Sequence, residues 1–310
     1  MLFSASLFHS ISFHSKQTQS KQSGKVGNSF ALSKSSTTVK NMIYTIFVTL
    51  FLFLTSQLYA SDSDYIQTYK LKPVNEGIQI GLGTALSGSA LICNQILHLK
   101  RNEYKPQDWD KNRLPKIDQI FMRPYNKKLH IVGTATLGVA MATPFILTTA
   151  PSSEWATIGA MYAETMLLTN GILQWTKFLV HRARPYMYFD GYSQAKVDAG
   201  DWNCSFPSGH TGMSFSGAAF TTSVFCHSFP NSKWKAAVAG FSFGIAALTG
   251  GLRMASGNHF FTDVLAGATI GTACGFIIPA LHHQKSRSEK DFDITTADAI
   301  PPIISFNIGF

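Results

Sequence analysis

Charge is what this chain has least of. Lys, Arg, Asp and Glu together make up 14% of it, against about 25% in an average soluble protein. The deficit excludes an ordinary water-facing surface along the whole length and points toward a membrane. Acid is scarcer than base, 17 residues against 26, for a net charge of +9. Most of the basic residues fall in the N-terminal arm, a loop at 99–128 and the region beyond 281, with apolar stretches between them. Loops near anionic lipid fit that distribution and a polynucleotide groove does not, so no nucleic-acid partner is expected. Cysteine is also sparse: Cys93, Cys204, Cys226 and Cys274 form no CxxC pair, and three sit in apolar stretches. That excludes a disulfide framework and a cysteine zinc site, and leaves buried thiols.

The first 41 residues contain no Asp or Glu, are rich in Ser and Lys and have no helical or strand period. They read as a disordered or untranslated arm. Met42 then opens "MIYTIFVTLFLFLTSQLYASDSD". Its basic flank, apolar run and small residue Ala60 mark 42–60 as a signal peptide or an uncleaved anchor. Residues 61–285 hold the main domain, and 286–310 form a polar linker ending in "IPPIISFNIGF". That ending alternates like a barrel strand, but one strand makes no barrel, and a packed tail is expected.

Within the main domain five segments carry no Lys, Arg, Asp or Glu: 77–99, 129–153, 211–232, 236–252 and 264–284. A sixth, 155–180, contains Glu164, which must be paired or face a polar interior. Crossing a bilayer takes about 20 helical residues. The expected fold is all-α, a bundle of about six apolar helices in a polytopic membrane protein. The competing reading is a soluble, secreted all-α core, because mean hydropathy is only +0.07.

Three clusters stand at the ends of these segments. In "KFLVHRARP", Lys177 and Arg184 are seven residues apart, two helical turns, so both cations share a face and can grip one anion. Pro185 stops the helix soon after, and His181 and Arg182 are expected to point elsewhere. Taken alone, such a basic helix end is more often an interfacial anchor. In "CSFPSGHTG", Ser208 stands at an N-cap position and the free N–H groups of the following turn offer an anion site. Gly209 lets a ligand approach the backbone, and His210 stands beside it as a proton donor. In "GLRMASGNHFFTD", His259 and Asp263 are four apart, so the carboxylate is expected to take the Nδ1 proton and leave the other nitrogen nucleophilic. Arg253 adds a third cation suited to phosphate geometry. With alternating spans, all three clusters emerge on one side and converge.

Together these stretches resemble the type 2 phosphatidic acid phosphatase (PAP2) superfamily, which includes bacterial class A acid phosphatases and vanadium haloperoxidases. Its signature reads KxxxxxxRP, PSGH and SRxxxxxHxxxD. Here the three parts are "KFLVHRARP", "PSGH" and "LRMASGNHFFTD", in order, with Leu252 where the family has Ser. The match spans roughly 125–285. The resemblance implies a PAP2/haloperoxidase-like helical core and a metal-independent phosphatase that needs no cofactor. It also implies roles: His259 attacks phosphorus to form a phosphohistidine, Asp263 orients it, and His210 protonates the leaving group. Lys177, Arg184, Ser208, Gly209 and Arg253 hold the phosphate.

The implied substrate is an amphiphilic phosphate ester: phosphatidate, phosphatidylglycerophosphate, an isoprenyl diphosphate or a lipid A phosphate. Membrane lipids are the expected surroundings, in the inner (cytoplasmic) membrane with the site facing the periplasm or exterior. Lys233, Lys235 and the basic tail would then lie inside, as the positive-inside tendency prefers. The loop at 99–128, with nine Lys or Arg against four Asp or Glu, would lie outside, against that tendency. Either 77–99 does not fully span, or the unit is a secreted, membrane-associated bundle. The alternatives are a secreted nonspecific acid phosphatase, a haloperoxidase holding vanadate on His259, and a non-catalytic lipid-binding protein. The loop "YMYFDGYSQAKVDAGDWNCSF" offers aromatics either for substrate selection or as interfacial anchors.

Overall fold

A computed structural model describes residues 65–95, 109–192 and 194–284. The expectations for 1–41, for 42–60, for much of the loop at 99–128 and for the tail 286–310 lie outside the described residues. Eight α-helices follow in order among those described: α1 (Pro73–Gln95), α2 (Lys116–Phe121), α3 (Lys127–Ala142), α4 (Trp155–Val180), α5 (Gln194–Asp198), α6 (Gly209–Ser228), α7 (Lys235–Ala255) and α8 (Phe261–His282). A 3₁₀ turn, Thr143–Thr149, prolongs α3. Six of the helices are long, and they correspond to the six segments of low charge. Among the described residues there is no strand, only an isolated bridge between Tyr69 and His283.

Local chemistry sets the helix ends. The Asn126 side chain accepts from the backbone N–H groups of Lys128 and Leu129 at 3.0 and 3.1 Å, which caps α3. At the other end of α4 the chain leaves through His181 in the left-handed region, φ 48°. Between α7 and α8 the turn passes through Gly257 at φ 71°, where a methyl group would stand 2.4 Å from the Arg123 carbonyl oxygen. Only glycine fits both the conformation and the space.

Helix α6 is the axis of the bundle. Sixteen of its 20 residues are buried, so its neighbours are helices rather than lipid. Its Ser, Thr and Gly content follows from that position, because small residues let backbones approach and hydroxyls bond across. Thr169 of α4 meets Ser216 at 2.9 Å, and Thr143 meets Thr221 at 3.1 Å. Against α8 the contact is backbone to backbone. A methyl at Gly271 would lie 2.0 Å from the Gly212 carbonyl oxygen, and one at Gly275 would lie 2.6 Å from that of Ser216.

On the outside, α1 docks along α4, running parallel to it. Ser87 Oγ donates to the Leu167 carbonyl at 2.6 Å, and Trp175 Nε1 donates to that of Leu86 at 3.1 Å. Outward-facing residues are apolar: Ile78, Leu82, Leu248, Leu265 and Ile277 are all exposed. Three stretches are long and apolar enough to cross a membrane: Lys127–Thr149, Lys235–Ala255 and Phe261–His282. These mark a membrane protein. At 23, 26 and 20 residues, α1, α4 and α6 are long enough for the same measure but fall short in hydropathy.

Candidate active site

The C-terminal ends of α4 and α7 and the N-terminal ends of α6 and α8 meet at one end of the bundle, and the three clusters meet with them. Lys177, Arg184, Gly209, His210, Arg253 and His259 line one cavity of about 270 Å³. Lys177 Nζ packs against Gly209, 3.3 Å from where a methyl group would stand there. Any side chain at 209 would therefore separate this cation from the start of α6. Arg253, 2% exposed, reaches the cavity from the last turn of α7, with Nη1 3.0 Å from His130 Nδ1. Its buried Nε has no hydrogen-bond partner among the described residues.

Arg184 is held from behind. Its Nε donates to the Asp201 carbonyl at 2.7 Å, and Nη2 donates to the Asp201 carboxylate at 2.6 Å. Asp201 also pairs with Lys196 at 3.2 Å. These two cations offset the cost of burial and keep the Asp201 carboxyl well below its ordinary value. Asp201 is the one carboxylate among the lining residues, against the three cations Lys177, Arg184 and Arg253. The lining side chains therefore carry a net formal charge of +2. Such a cavity favours an anion of two charges.

The two histidines face this field. His259, 1% exposed, has Nδ1 2.7 Å from the Ser205 carbonyl oxygen. A carbonyl can only accept, so Nδ1 carries the proton and Nε2 presents its lone pair. Arg184 Nη1 lies 3.3 Å from that Nε2. Burial first, then Arg184, Arg253 and Lys177, hold the ring well below the ordinary histidine value. It is neutral at pH 7, and its free nitrogen faces the cavity. Half-buried His210 has Nε2 3.3 Å from Thr134 Oγ1. Its value is likewise depressed, by burial and then by Arg253, His259 and Lys177.

Two expected site residues stand behind the wall. Ser208 is fully buried and caps α6, with Oγ accepting from Thr211 N–H at 3.4 Å and bonded to Thr211 Oγ1 at 2.8 Å. Asp263 does not take the Nδ1 proton as its four-residue spacing suggests. Its Oδ2 is 3.8 Å from His259 Nδ1, and the Ser205 carbonyl occupies the hydrogen-bonding position instead. The physical reason is capping: Asp263 accepts the Phe260 N–H at 2.8 Å at the start of α8, and also the Ser205 hydroxyl. It therefore acts on His259 through Ser205, one residue removed.

Several residues outside the signature complete the support. Arg182, expected to point elsewhere, forks between Asp263 Oδ1 at 2.6 Å and Asp118 Oδ2 at 2.7 Å. Asp118 also accepts Thr262 N–H at 3.0 Å and Thr262 Oγ1–H at 2.8 Å. Sequence reasoning passed over Asp118, His130, Ser205 and Asp201, which lie in loops or in a separate helix. The one available signal was Arg182 itself, a second arginine two positions before Arg184. The segment after Arg184 folds inward: Tyr186, Met187 and Val197 are buried among Trp109, Tyr125 and Tyr188. Their burial excludes the interfacial-anchor reading for these three.

Residues 158–287 match the family model described as PAP2 superfamily. No curated protein and no solved structure gives a significant match.

Proposed function

Because residues 158–287 make this chain a member of the PAP2 superfamily, a family of phosphatase type, we propose that it hydrolyses a lipid phosphate or diphosphate ester, without a catalytic metal, through a phosphohistidine on His259. The observation that carries this reading is the cavity with three buried cations, one carboxylate and a histidine lone pair turned inward. His259 Nε2 attacks phosphorus while Lys177, Arg184, Arg253 and the Gly209 N–H hold the equatorial oxygens as charge shifts in the transition state. Arg184 Nη1 leaves Nε2 for a phosphate oxygen as the substrate enters. The spare Nε donor of Arg253 is available for a second oxygen.

His210 protonates the departing oxygen and then takes a proton from the water that cleaves the phosphohistidine. An empty cavity disfavours its protonated form, but a bound phosphate dianion offsets the cations and restores it. Asp263 fixes the nucleophile by bonding Ser205, whose carbonyl holds Nδ1–H. The apolar outer faces bring the site to the lipid surface, where an amphiphilic ester such as phosphatidate, phosphatidylglycerophosphate, an isoprenyl diphosphate or a lipid A phosphate resides. Lys233, in the turn before α7, and Lys235, which opens α7, lie at the opposite end of the bundle. For these two lysines the positive-inside tendency favours a site facing away from the cytosol, against the basic loop at 99–128.

The test is a panel of lipid and water-soluble phosphates offered to the purified protein and to His259→Ala, with acid-labile phosphoenzyme trapped in parallel. Phosphate release and the trapped species should both vanish in the variant. Release that persists in His259→Ala refutes the mechanism. Equal rates on soluble and lipid esters refute the lipid preference.

A further inference from the structure

At the end of the bundle away from the cavity, three side chains from three helices meet: Glu76 of α1, Glu164 of α4 and His282 of α8. Their ligand atoms all lie within 4.8 Å of one another. His282 Nε2 is 3.0 and 3.1 Å from the two Glu76 oxygens and 3.3 Å from Glu164 Oε2. On the other side of the ring, Nδ1 is 2.8 Å from the Ile278 carbonyl oxygen. That acceptor holds the proton on Nδ1, and in the neutral ring it turns the Nε2 lone pair toward both carboxylates.

Glu164 makes the arrangement unusual. Its side chain is 1% exposed, and neither carboxylate oxygen has a hydrogen-bond donor among the described residues. A lone pair and two carboxylates facing one another in a buried site favour a cation among them. We propose that Glu76, Glu164 and His282 bind one divalent transition-metal ion, zinc or manganese, which fastens α1 to the catalytic bundle. One imidazole nitrogen with two carboxylates is a donor set suited to these ions. On a tetrahedral zinc with bonds of about 2.0–2.1 Å, neighbouring ligand atoms stand roughly 3.3 Å apart. The His282 to glutamate separations of 3.0 to 3.3 Å match that spacing.

The proposed ion is structural. Glu164 and Lys177 are 13 positions apart on one helix, about 20 Å along the axis, so it cannot touch substrate held at the cavity. Its effect falls on α1, which packs chiefly on α4 and whose first turn carries Glu76.

The experiment uses the full chain in detergent micelles, treated with chelator and exchanged into metal-free buffer. Zinc, manganese and, as a hard-cation control, magnesium are then titrated, with bound metal per chain and apparent Tm as readouts. The expected result is one equivalent of zinc or manganese, a Tm higher by several degrees, and no response to magnesium. Glu164→Gln, which keeps shape and removes charge, should bind about tenfold more weakly or worse and lose the Tm increment. It should still release phosphate at the rate of the parent. Zinc bound equally by parent and Glu164→Gln overturns the proposal, because the ion would then sit elsewhere, as at the catalytic histidines. A parent that binds no ion, with Glu164→Gln raising Tm by itself, also overturns it, since the cluster would then be an imidazolium shared by two carboxylates.

Discussion

Replacing Arg182 with Met should weaken the fold by about 3 kcal/mol and slow turnover without changing substrate affinity. The guanidinium bridges two carboxylates that are both 0% exposed, while its own side chain is 20% exposed. Removing one partner of a buried ion pair costs about 3–5 kcal/mol, because the abandoned charge stays buried. Here the lower end applies. Asp118 keeps its Thr262 donors, and Asp263 keeps Ser205 Oγ and Phe260 N–H. Methionine keeps an apolar chain of similar reach but loses the cation–π contact of the Arg182 guanidinium, which lies 4.3 Å over the Phe260 ring.

The assay is unfolding in mixed micelles followed by tryptophan fluorescence, run as a double-mutant cycle with Asp118→Asn. With Asp118 already neutral, the cost of Arg182→Met should fall by about 1–2 kcal/mol. Arg182 does not line the cavity, so KM should stay within about twofold while kcat falls about tenfold, the equivalent of about 1.4 kcal/mol at the barrier. A cost below about 1 kcal/mol, or one that is the same in the Asp118→Asn background, would refute the bridging role.

Other outcomes follow from the same geometry. Gly271→Val should prevent folding or cost more than about 3 kcal/mol, since its Cβ meets the backbone oxygen of Gly212 at 2.0 Å. Gly244→Ala, with nothing within 4 Å, should be neutral or stabilise by up to about 1 kcal/mol, and thermal shift compares the two. For His259 and His210 the folded state resists protonation, so below the ordinary value of 6.5 the unfolded chain binds more protons. Stability should therefore fall as pH drops below 6.5, and the acidic limb of kcat/KM should lie below that value. A limb at or above 6.5 would contradict the depressed histidines. Asp201→Asn removes the cavity's one lining carboxylate, so inorganic phosphate should inhibit about fivefold more strongly, about 1 kcal/mol. An unchanged inhibition constant would show that Asp201 is fully neutralised by Arg184 and Lys196.

The six long helices were legible because absence of charge over some 20 residues is a strong one-dimensional signal. So was the meeting of Lys177, Arg184, Gly209, His210, Arg253 and His259, since alternating helices put their motifs at one end. What sequence could not supply was partner choice at short range. Asp263 stands four residues from His259, yet the loop carbonyl of Ser205 arrives first, and no spacing rule reports on a backbone atom 54 positions away. Helical periodicity turns Arg182 away from the face of Lys177 and Arg184, but α4 ends at Val180 and the chain turns through His181, so that period does not reach Arg182. For α6, lack of charge marks an apolar segment but does not distinguish lipid from protein neighbours. Its Ser and Thr content was the cue that it faces other helices.

The buried axis also divides labour among the helices. Position α6 at the centre, with Ser216 bonded to Thr169 of α4 and Thr221 to Thr143 at the end of α3, and the cavity keeps its shape whatever lies outside the ring. The exposed Ile78, Leu82, Leu248, Leu265 and Ile277 face outward and line no part of the cavity, so they can be exchanged in number and polarity without disturbing its distances. A water-soluble form of this protein is then a matter of repainting the outer faces. The same freedom lets one reaction centre be fitted to bilayers of different thickness.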